Sequence, residues 1–286
     1  MFDMGKAIVA SNVGHMFGDK KVLEHVNIQI EAGEIFGLLG PSGAGKTTLI
    51  NILTGQLRNT DGKCEINGIE SIQLSGEQYM QMGIMMDDFG IYDRMSCFDN
   101  LKFYQMLDGR GSADIDEILN KVGLLSAKKT QAMNLSKGMK NRLAFARAIL
   151  RNPKILFLDE PTCGLDPNTV EEIHNMILEE KKRGTTIFLT THNMHEAEKL
   201  CDNIALLNEG SIVEYGNPVE ICRKYNHQKK FVLHLKNGND IELEHGKESA
   251  DEIRAYIEND ELETIHTTEP NLEKIFMELT GKGLNK

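Results

Sequence analysis

The sequence predicts an α/β fold built around a buried, mainly parallel sheet. Three runs have the length and composition of central strands: Glu34–Leu39 and Ile155–Leu158, which are mainly apolar, and Thr185–Thr190. Each run is followed by a segment with helical character, and this alternation is typical of βαβ units. A glycine-rich loop joins the first of these strands to its helix, which favours a phosphate-binding sheet edge.

The glycine-rich loop fits the pattern G-x-x-x-x-G-K-[ST], the P-loop. Its glycines allow successive backbone N–H groups to point at phosphate oxygens, and the following helix N-terminus adds partial positive charge. Lys46 supplies a full charge for the β- and γ-phosphates, Thr47 a hydroxyl for Mg²⁺, and Thr48 supports the loop. The residues expected to bind a nucleoside triphosphate are Gly40, Pro41, Ser42, Gly43, Ala44, Gly45, Lys46, Thr47 and Thr48. The alternative, a chance glycine-rich turn, is disfavoured because a strand precedes the loop and a helix follows it.

Composition narrows the class of protein. The 286 residues carry a net charge of −11, which argues against a nucleic-acid partner because phosphate backbones select basic surfaces. No apolar run approaches the roughly 20 residues of a membrane helix, and the N-terminus lacks a signal-peptide pattern. Five cysteines without a CxxC pair indicate reduced thiols in the cytosol.

The N-terminal part predicts an antiparallel β subdomain. Residues Ala7–Phe17 and Val22–Glu31 have strand character, and a short strand is expected at Lys63–Ile66. Phe17 ends the first strand, where an aromatic ring could stack on a base. From periodicity alone, a core aromatic at a strand end is an equally good interpretation.

The middle of the chain predicts a helical subdomain at about residues 96–150. Helices are expected at Cys97–Leu107, Asp114–Val122 and Lys137–Leu150, the last capped by Ser136. The start of this last helix, with Ser136 and Gly138, is also suited to an anion. Since one P-loop already serves one nucleotide, this second helix end suggests a site that reaches another copy of the chain.

Two carboxylates and a histidine complete the candidate site. Asp159 and Glu160 end a buried strand, where Asp159 can hold Mg²⁺ and Glu160 can orient and deprotonate an attacking water. The alternative is a pair of helix-capping acids. His192 ends the next central strand and could bond the γ-phosphate, whereas a metal site shared with His174 and His195 is disfavoured by their helical offsets.

The pattern changes after Tyr225. We expect a P-loop nucleotide-binding domain at residues 1–225 and a small C-terminal α+β appendage at 226–286, with helices at Ala250–Ile257 and Asn271–Leu279. No chemistry is identified in the appendage. The predicted fold class is therefore α/β: a P-loop NTPase core with an antiparallel β subdomain, a helical subdomain and this appendage.

Together these motifs resemble the ATPase subunit of an ABC transporter over about residues 7–225. The matching segments are the Walker A loop Gly40–Thr48, the Walker B strand Ile155–Asp159 with Glu160, the signature Leu135–Met139, the D-loop Cys163–Asp166 and the switch residue His192. The ending Glu269–Gly281 resembles the tail of drug- and peptide-export ATPases.

The resemblance implies that two ATPase domains pack head to tail with ATP between them. Ser136 and Gly138 would then bind the γ-phosphate held by Lys46 of the other copy. Glu160 would be the catalytic base, with Lys46 and His192 also catalytic, and Asp166 would couple the two sites. The same resemblance implies that Phe17 stacks on adenine.

The chain departs from the family pattern at three positions. Lys137 and Met139 stand in the signature where glycine and glutamine are usual, but the serine and the second glycine remain. Asp87 takes the place of the Q-loop glutamine, with Asp88 as the alternative register. We expect Asp87 to contact Mg²⁺; an Asp87→Gln variant with unchanged Mg²⁺ dependence, ATPase rate and transport would refute this role.

The expected function follows from the resemblance. We expect a cytoplasmic ATP-binding subunit, peripheral on the inner face of the cell membrane, that uses ATP and Mg²⁺ to drive a separate polytopic membrane permease. Export of a drug or peptide is expected, and the second ATPase subunit could be identical or different. The alternatives are a soluble ABC ATPase, which would usually carry two cassettes or a coiled-coil insertion, and a nucleotide-sensing subunit with little hydrolysis.

Overall fold

The computed structural model describes residues 5–86, 90–107, 113–226, 230–244, 246–267 and 270–281. The chain divides into two compact units between Asn217 and Pro218. The change of sequence pattern placed this division after Tyr225. The difference is the short helix Pro218–Lys224, which belongs to the second unit.

The first unit contains two sheets and the helices around them. Its strands are Lys6–Phe17 (β1), Lys20–Glu31 (β2), Ile35–Leu39 (β3), Asp61–Ile66 (β4), Ile69–Glu70 (β5), Met82–Met85 (β6), Ile155–Asp159 (β7), Thr186–Thr191 (β8), Asn203–Asn208 (β9) and Ser211–Gly216 (β10). Its helices are Lys46–Leu53 (α1), Gly76–Tyr79 (α2), Cys97–Leu107 (α3), Ile115–Lys121 (α4), Lys137–Ile149 (α5), Pro167–Lys182 (α6) and Met194–Leu200 (α7).

A six-stranded sheet forms the centre of this unit, in the order β10-β9-β3-β8-β7-β6. Strands β9, β3, β8, β7 and β6 pair in parallel, and β10 pairs with β9 as an antiparallel edge strand. Every residue of β3, β7 and β8 is buried, as expected for parallel strands covered on both faces. The predicted α/β class is confirmed. Because β3, β8 and β7 are neighbours, the residues that follow their carboxyl ends meet at one edge of the sheet.

The N-terminal sheet is antiparallel, in the order β2-β1-β4-β5. Val13 of β1 and Val26 and Ile28 of β2 are buried. They share a hydrophobic core with Leu49 of α1 and Phe36 of β3. The same sheet therefore packs against the P-loop helix and the central sheet. This packing supports the loop between β3 and α1.

Helices α3, α4 and α5 lie between β6 and β7 in sequence and pack against one another. The side chain of Asp114 accepts hydrogen bonds from Asp116 N and Glu117 N and caps α4. Ser136 caps α5 by accepting from Met139 N at 3.2 Å. The helical insertion expected from the sequence is present, and α5 also packs against β6.

The second unit is a small α+β fold. Its elements are α8 (Pro218–Lys224), β11 (Lys230–Leu235), β12 (Asp240–Glu244), α9 (Lys247–Glu258), β13 (Leu262–Thr267) and α10 (Leu272–Thr280). The strands form an antiparallel sheet in the order β12-β11-β13. Leu233, Ile275 and Phe276 are buried, and α10 packs against α8. Across the described parts of both units, no helix is long and apolar enough to cross a membrane.

Candidate nucleotide site

The P-loop adopts a conformation that two of its glycines make possible. Gly45, directly before α1, has φ 112°, and a Cβ there would lie 2.7 Å from the Leu23 side chain and 3.0 Å from the Val22 carbonyl oxygen. A Cβ on Gly40 would lie 2.4 Å from the Leu207 carbonyl oxygen. Neither position can carry a side chain without moving the backbone around it. The close approach fixes the loop between the two sheets of this unit.

Lys46 is the first residue of α1, and its ammonium group is held at several points. It donates to the Gly40 carbonyl at 2.7 Å and the Pro41 carbonyl at 3.3 Å. It also pairs with Glu160 Oε1 at 3.0 Å, although the lysine side chain is only 7% exposed. A buried ammonium group that already faces several oxygen atoms is well positioned to donate hydrogen bonds to phosphate oxygens.

Asp159 lies at the end of β7 and is almost fully buried. Its Oδ2 accepts the Thr47 hydroxyl at 2.8 Å, and its Oδ1 accepts the hydroxyl of Thr190 in β8. Thr47 and Asp159 therefore present hard oxygen atoms side by side, and these are the donors that Mg²⁺ prefers. Sequence reasoning missed the role of Thr190. The available signal was the pair of hydroxyl residues, Thr190 and Thr191, at the carboxyl end of a central strand.

Glu160 turns away from Asp159 and contacts His192. Its Oε2 lies 2.7 Å from His192 Nδ1 and also accepts the His192 backbone N–H at 3.4 Å. Glu160 has φ 49°, a region that non-glycine residues rarely adopt. Its N–H is secured by the carbonyl and hydroxyl oxygens of Thr190, each at 3.1 Å. Such backbone strain persists where surrounding contacts hold a functional side chain in place.

These groups line one cavity of about 330 Å³. Its lining residues are Val22, Ser42, Gly43, Gly45, Lys46, Thr47, Thr48, Asp159, Glu160, Cys163 and His192. The structure thus brings together the P-loop, the acids Asp159 and Glu160 at the end of β7 and the histidine after β8. Their roles toward a nucleotide stay predictions. Cys163 was recognised only as part of a motif, and its place in the cavity is a finding of the structure.

Phe17 ends β1 with its side chain 53% exposed. Its ring meets the buried His15 ring edge-on, with centroids 4.5 Å apart. The exposure contradicts the interpretation of Phe17 as a core aromatic. A flat face therefore remains accessible to a stacking partner.

Ser136 and Gly138 lie at the start of α5, where Ser136 is exposed, and neither is among the residues that line the cavity. A Cβ on Gly138 would lie 3.0 Å from the Thr169 methyl group. Thr169 donates its hydroxyl to Asp166, the cap of α6, at 2.7 Å, and this bond lowers the pKa of Asp166. The signature and the D-loop are thus adjacent within one chain, while the role of Ser136 and Gly138 toward ATP stays a prediction.

A buried polar network was not predicted from the sequence. Glu196 on α7 is 1% exposed and accepts the Thr162 hydroxyl at 2.8 Å; its Oε1 also lies 3.0 Å from His174 Nε2 on α6. His174 therefore contacts Glu196 and does not join His192, and the His195 side chain is exposed. The predicted metal contact at Asp87, with its alternative Asp88, lies outside the described residues.

The cavity defines a nucleoside-triphosphate-binding protein of the P-loop class, and comparisons with known proteins identify its family. Residues 23–163 match the family described as "ABC transporter". The chain is 38% identical over 256 residues to a "Fluoroquinolones export ATP-binding protein" of Mycobacterium tuberculosis, covering 88% of this chain and 85% of the relative. The chain therefore belongs to the ATP-binding proteins of ABC transporters, which confirms the resemblance.

Two further comparisons cover different shares of this chain. The "Bacitracin transport ATP-binding protein BcrA" of Bacillus licheniformis is 32% identical over 303 residues, covering 98% of this chain and 99% of the relative. A solved ATP-binding cassette, described as a dimer in a post-hydrolysis state bound to ADP and Pi, is 25% identical. It covers 73% of this chain and 98% of its own, with a TM-score of 0.66.

Proposed function

We propose that this chain binds and hydrolyses ATP and thereby powers export through a separate membrane permease. The observation that carries the proposal is the convergence of Lys46, Thr47, Asp159, Glu160 and His192 at the carboxyl ends of three adjoining strands. This set supplies a phosphate-binding cation, oxygen donors for a hard metal ion and a carboxylate for an attacking water.

Binding uses the P-loop and Lys46 for the phosphates and the exposed ring of Phe17 for adenine. Thr47 and Asp159 would hold Mg²⁺, and their paired oxygens fit this ion. When bound, Mg²⁺ supplies positive charge that offsets the negative charge of the phosphates. Thr190 keeps Asp159 oriented through its hydroxyl group.

Hydrolysis uses Glu160 as a general base. The carboxylate accepts a proton from water while the water oxygen bonds to the γ-phosphorus. The bond from that phosphorus to the bridging oxygen breaks, and ADP leaves with the electron pair. His192 holds Glu160 Oε2, and Lys46 pairs with the other carboxylate oxygen and would also contact the phosphates.

A second ATP-binding subunit completes each site in this proposal. Ser136 and Gly138 at the start of α5 would contact the γ-phosphate of an ATP bound to the P-loop of the other subunit, which can be a second copy of this chain or a related chain. The solved cassette that is similar to this chain is described as a dimer bound to ADP and Pi, and this supports the arrangement. Asp166, which caps α6 next to the signature, would couple the two sites.

Export is supported by the relatives, whose names describe fluoroquinolone export and bacitracin transport. We propose a peripheral location on the inner face of the membrane, a polytopic permease on a separate chain and no nucleic-acid partner. In the native host, loss of the chain should raise sensitivity to an exported drug or peptide. Wild-type protein should restore resistance and co-purify with a polytopic membrane protein; resistance restored equally by Glu160→Gln would refute ATP-driven export.

The decisive biochemical test is the substitution Glu160→Gln. The amide keeps the size of the side chain but cannot accept the proton, so the ATPase rate should fall about 10²- to 10⁴-fold. ATP affinity should stay within about threefold, because phosphate binding depends on the P-loop and Lys46. Lys46→Ala is the matched control and should weaken ATP binding itself. A near-normal rate for Glu160→Gln would remove Glu160 from the role of base.

A further inference from the structure

Three side chains of different chemistry meet beside the phosphate-binding loop. Glu160, Cys163 and His192 each offer one ligand atom, and these atoms all lie within 4.8 Å of one another. Cys163 is exposed, so its thiol is accessible from solvent. We propose that this cluster binds a thiophilic divalent metal ion, with Zn²⁺ as the best match, at a site separate from the Mg²⁺ ligands Thr47 and Asp159.

The backbone brings Cys163 back over Glu160. The Cys163 N–H donates to the Glu160 carbonyl oxygen at 3.1 Å, which closes a turn directly after β7. Glu160 and His192 are already joined at 2.7 Å, and the Glu160 N–H is fixed by Thr190. All three donors are thus held by the ends of two neighbouring strands. Little of the chain needs to be ordered when a metal binds.

The donor set selects the metal. A thiolate, an imidazole and a carboxylate suit Zn²⁺, whereas Mg²⁺ prefers oxygen donors alone. Tetrahedral Zn²⁺ places its sulfur, nitrogen and oxygen ligands about 3.3–3.6 Å apart, given its usual bond lengths. The Cys163 sulfur therefore needs to approach by up to about 1 Å, whereas Glu160 Oε2 and His192 Nδ1, which lie 2.7 Å apart, need to separate by about 0.6 Å. Three protein ligands leave a fourth position for water. The Cys163 thiolate and the Glu160 carboxylate supply two negative charges, and the second of these also faces the Lys46 ammonium at 3.0 Å.

The other cysteines of the first unit are poorer candidates for metal binding than Cys163. Cys64, Cys97 and Cys201 are buried. Burial raises the pKa of Cys64 to about 12, that of Cys97 above its ordinary value, and that of Cys201 well above it. A thiol ligates metal as the thiolate, so these positions disfavour metal binding. Cys222, in the second unit and only partly buried, serves as the control position.

Metal binding would engage Glu160 and His192, the residues assigned to hydrolysis above. Micromolar Zn²⁺ is therefore expected to inhibit ATP turnover. This consequence rests on the proposed function, whereas binding of the metal does not. The two statements can be tested separately.

The binding test uses Co²⁺ as a spectroscopic substitute for Zn²⁺ on the reduced full-length chain without nucleotide. Wild-type protein should give a thiolate-to-cobalt charge-transfer band that equimolar Zn²⁺ removes. Cys163→Ser should lose the band and bind Zn²⁺ at least about tenfold more weakly. Cys222→Ser should keep both properties. A wild-type protein without the band, or a Cys163→Ser protein that retains it, would overturn the site.

The inhibition test compares ATPase rates at fixed free Mg²⁺ and increasing Zn²⁺, each variant relative to its own metal-free rate. The Zn²⁺ concentration for half-inhibition should rise at least about tenfold in Cys163→Ser. Equal inhibition of wild type and Cys163→Ser would refute inhibition through this site. A cobalt band in a protein that does not hydrolyse ATP would support the metal site and refute the proposed function instead.

Discussion

Asp159 and Glu160 are adjacent in sequence but contact different partners. Asp159 accepts two threonine hydroxyls, and Glu160 contacts Lys46 and His192. Alternation along a strand predicted that consecutive acids would point in different directions. The positive φ of Glu160 could not be predicted in the same way. It depends on the carbonyl and hydroxyl of Thr190, which lies 30 residues away in sequence.

Thr190 is therefore expected to affect both stability and rate. Thr190→Val keeps the shape of the side chain but leaves Asp159 Oδ1 without its hydroxyl donor. The free energy of unfolding should fall by about 1–3 kcal/mol, because a buried acceptor loses its partner. The ATPase rate should fall by about tenfold or more, since Asp159 and Glu160 both lose an orienting contact. Denaturant unfolding and steady-state ATPase assays measure the two effects.

Thr186→Val is the matched control for this prediction. Thr186 lies on the same strand and is similarly buried, but its hydroxyl accepts from Gly33 N at the amino end of β8, whereas Thr190 lies near the carboxyl end. Its loss should lower stability while leaving the rate per folded molecule within about twofold. If both variants reduce the rate equally, Thr190 has only a structural role.

The elements themselves were largely predictable. Strands β7 and β8 were predicted from short runs with the composition of central strands. Helix α5 was predicted from the cap at Ser136 and the helix-forming residues after it. The buried contact of Glu196 with Thr162 and His174 was not predictable, because it joins a loop and two helices that are distant in sequence. Periodicity shows which face of a helix is buried, but it does not show which buried polar groups will meet.

The start of α5 offers a test that separates capping from phosphate binding. Ser136→Asp retains an N-cap oxygen for Met139 N, so the free energy of unfolding should change by less than about 0.5 kcal/mol. Its negative charge would repel the γ-phosphate of an ATP on another copy. In the slow Glu160→Gln background, ATP-dependent dimerisation measured by light scattering should therefore be lost.

Ser136→Asn is the control, because asparagine also caps helices but carries no charge. It should weaken the ATP-dependent dimer far less than the aspartate. Normal dimerisation of Ser136→Asp, with ATP bound, would exclude Ser136 from phosphate contact between copies.

At the scale of the whole molecule, the predicted domain boundary and the observed division of the chain lie at different residues. The change of pattern after Tyr225 coincides with the start of the alternating strands, whereas the second unit already begins at Pro218. Helix α8 is short, so its sequence does not show that it packs with α10. Strand order was equally inaccessible: β3 lies between β8 and β9, and pairings this remote in sequence are set by the folded sheet.

A mixing experiment tests whether two copies of this chain form the composite site. Lys46→Ala and Ser136→Asp should each be nearly inactive alone. In a pair of identical chains, random exchange makes about half of the dimers mixed, and each mixed dimer contains one site with both residues intact. ATPase activity should therefore recover well above the sum of the separate variants.

As a control, Lys46→Ala mixed with the double variant Lys46→Ala/Ser136→Asp provides no intact site and should show no recovery. If the first mixture also stays inactive while subunits exchange, Lys46 of one copy and Ser136 of the other do not form a site that hydrolyses ATP on its own.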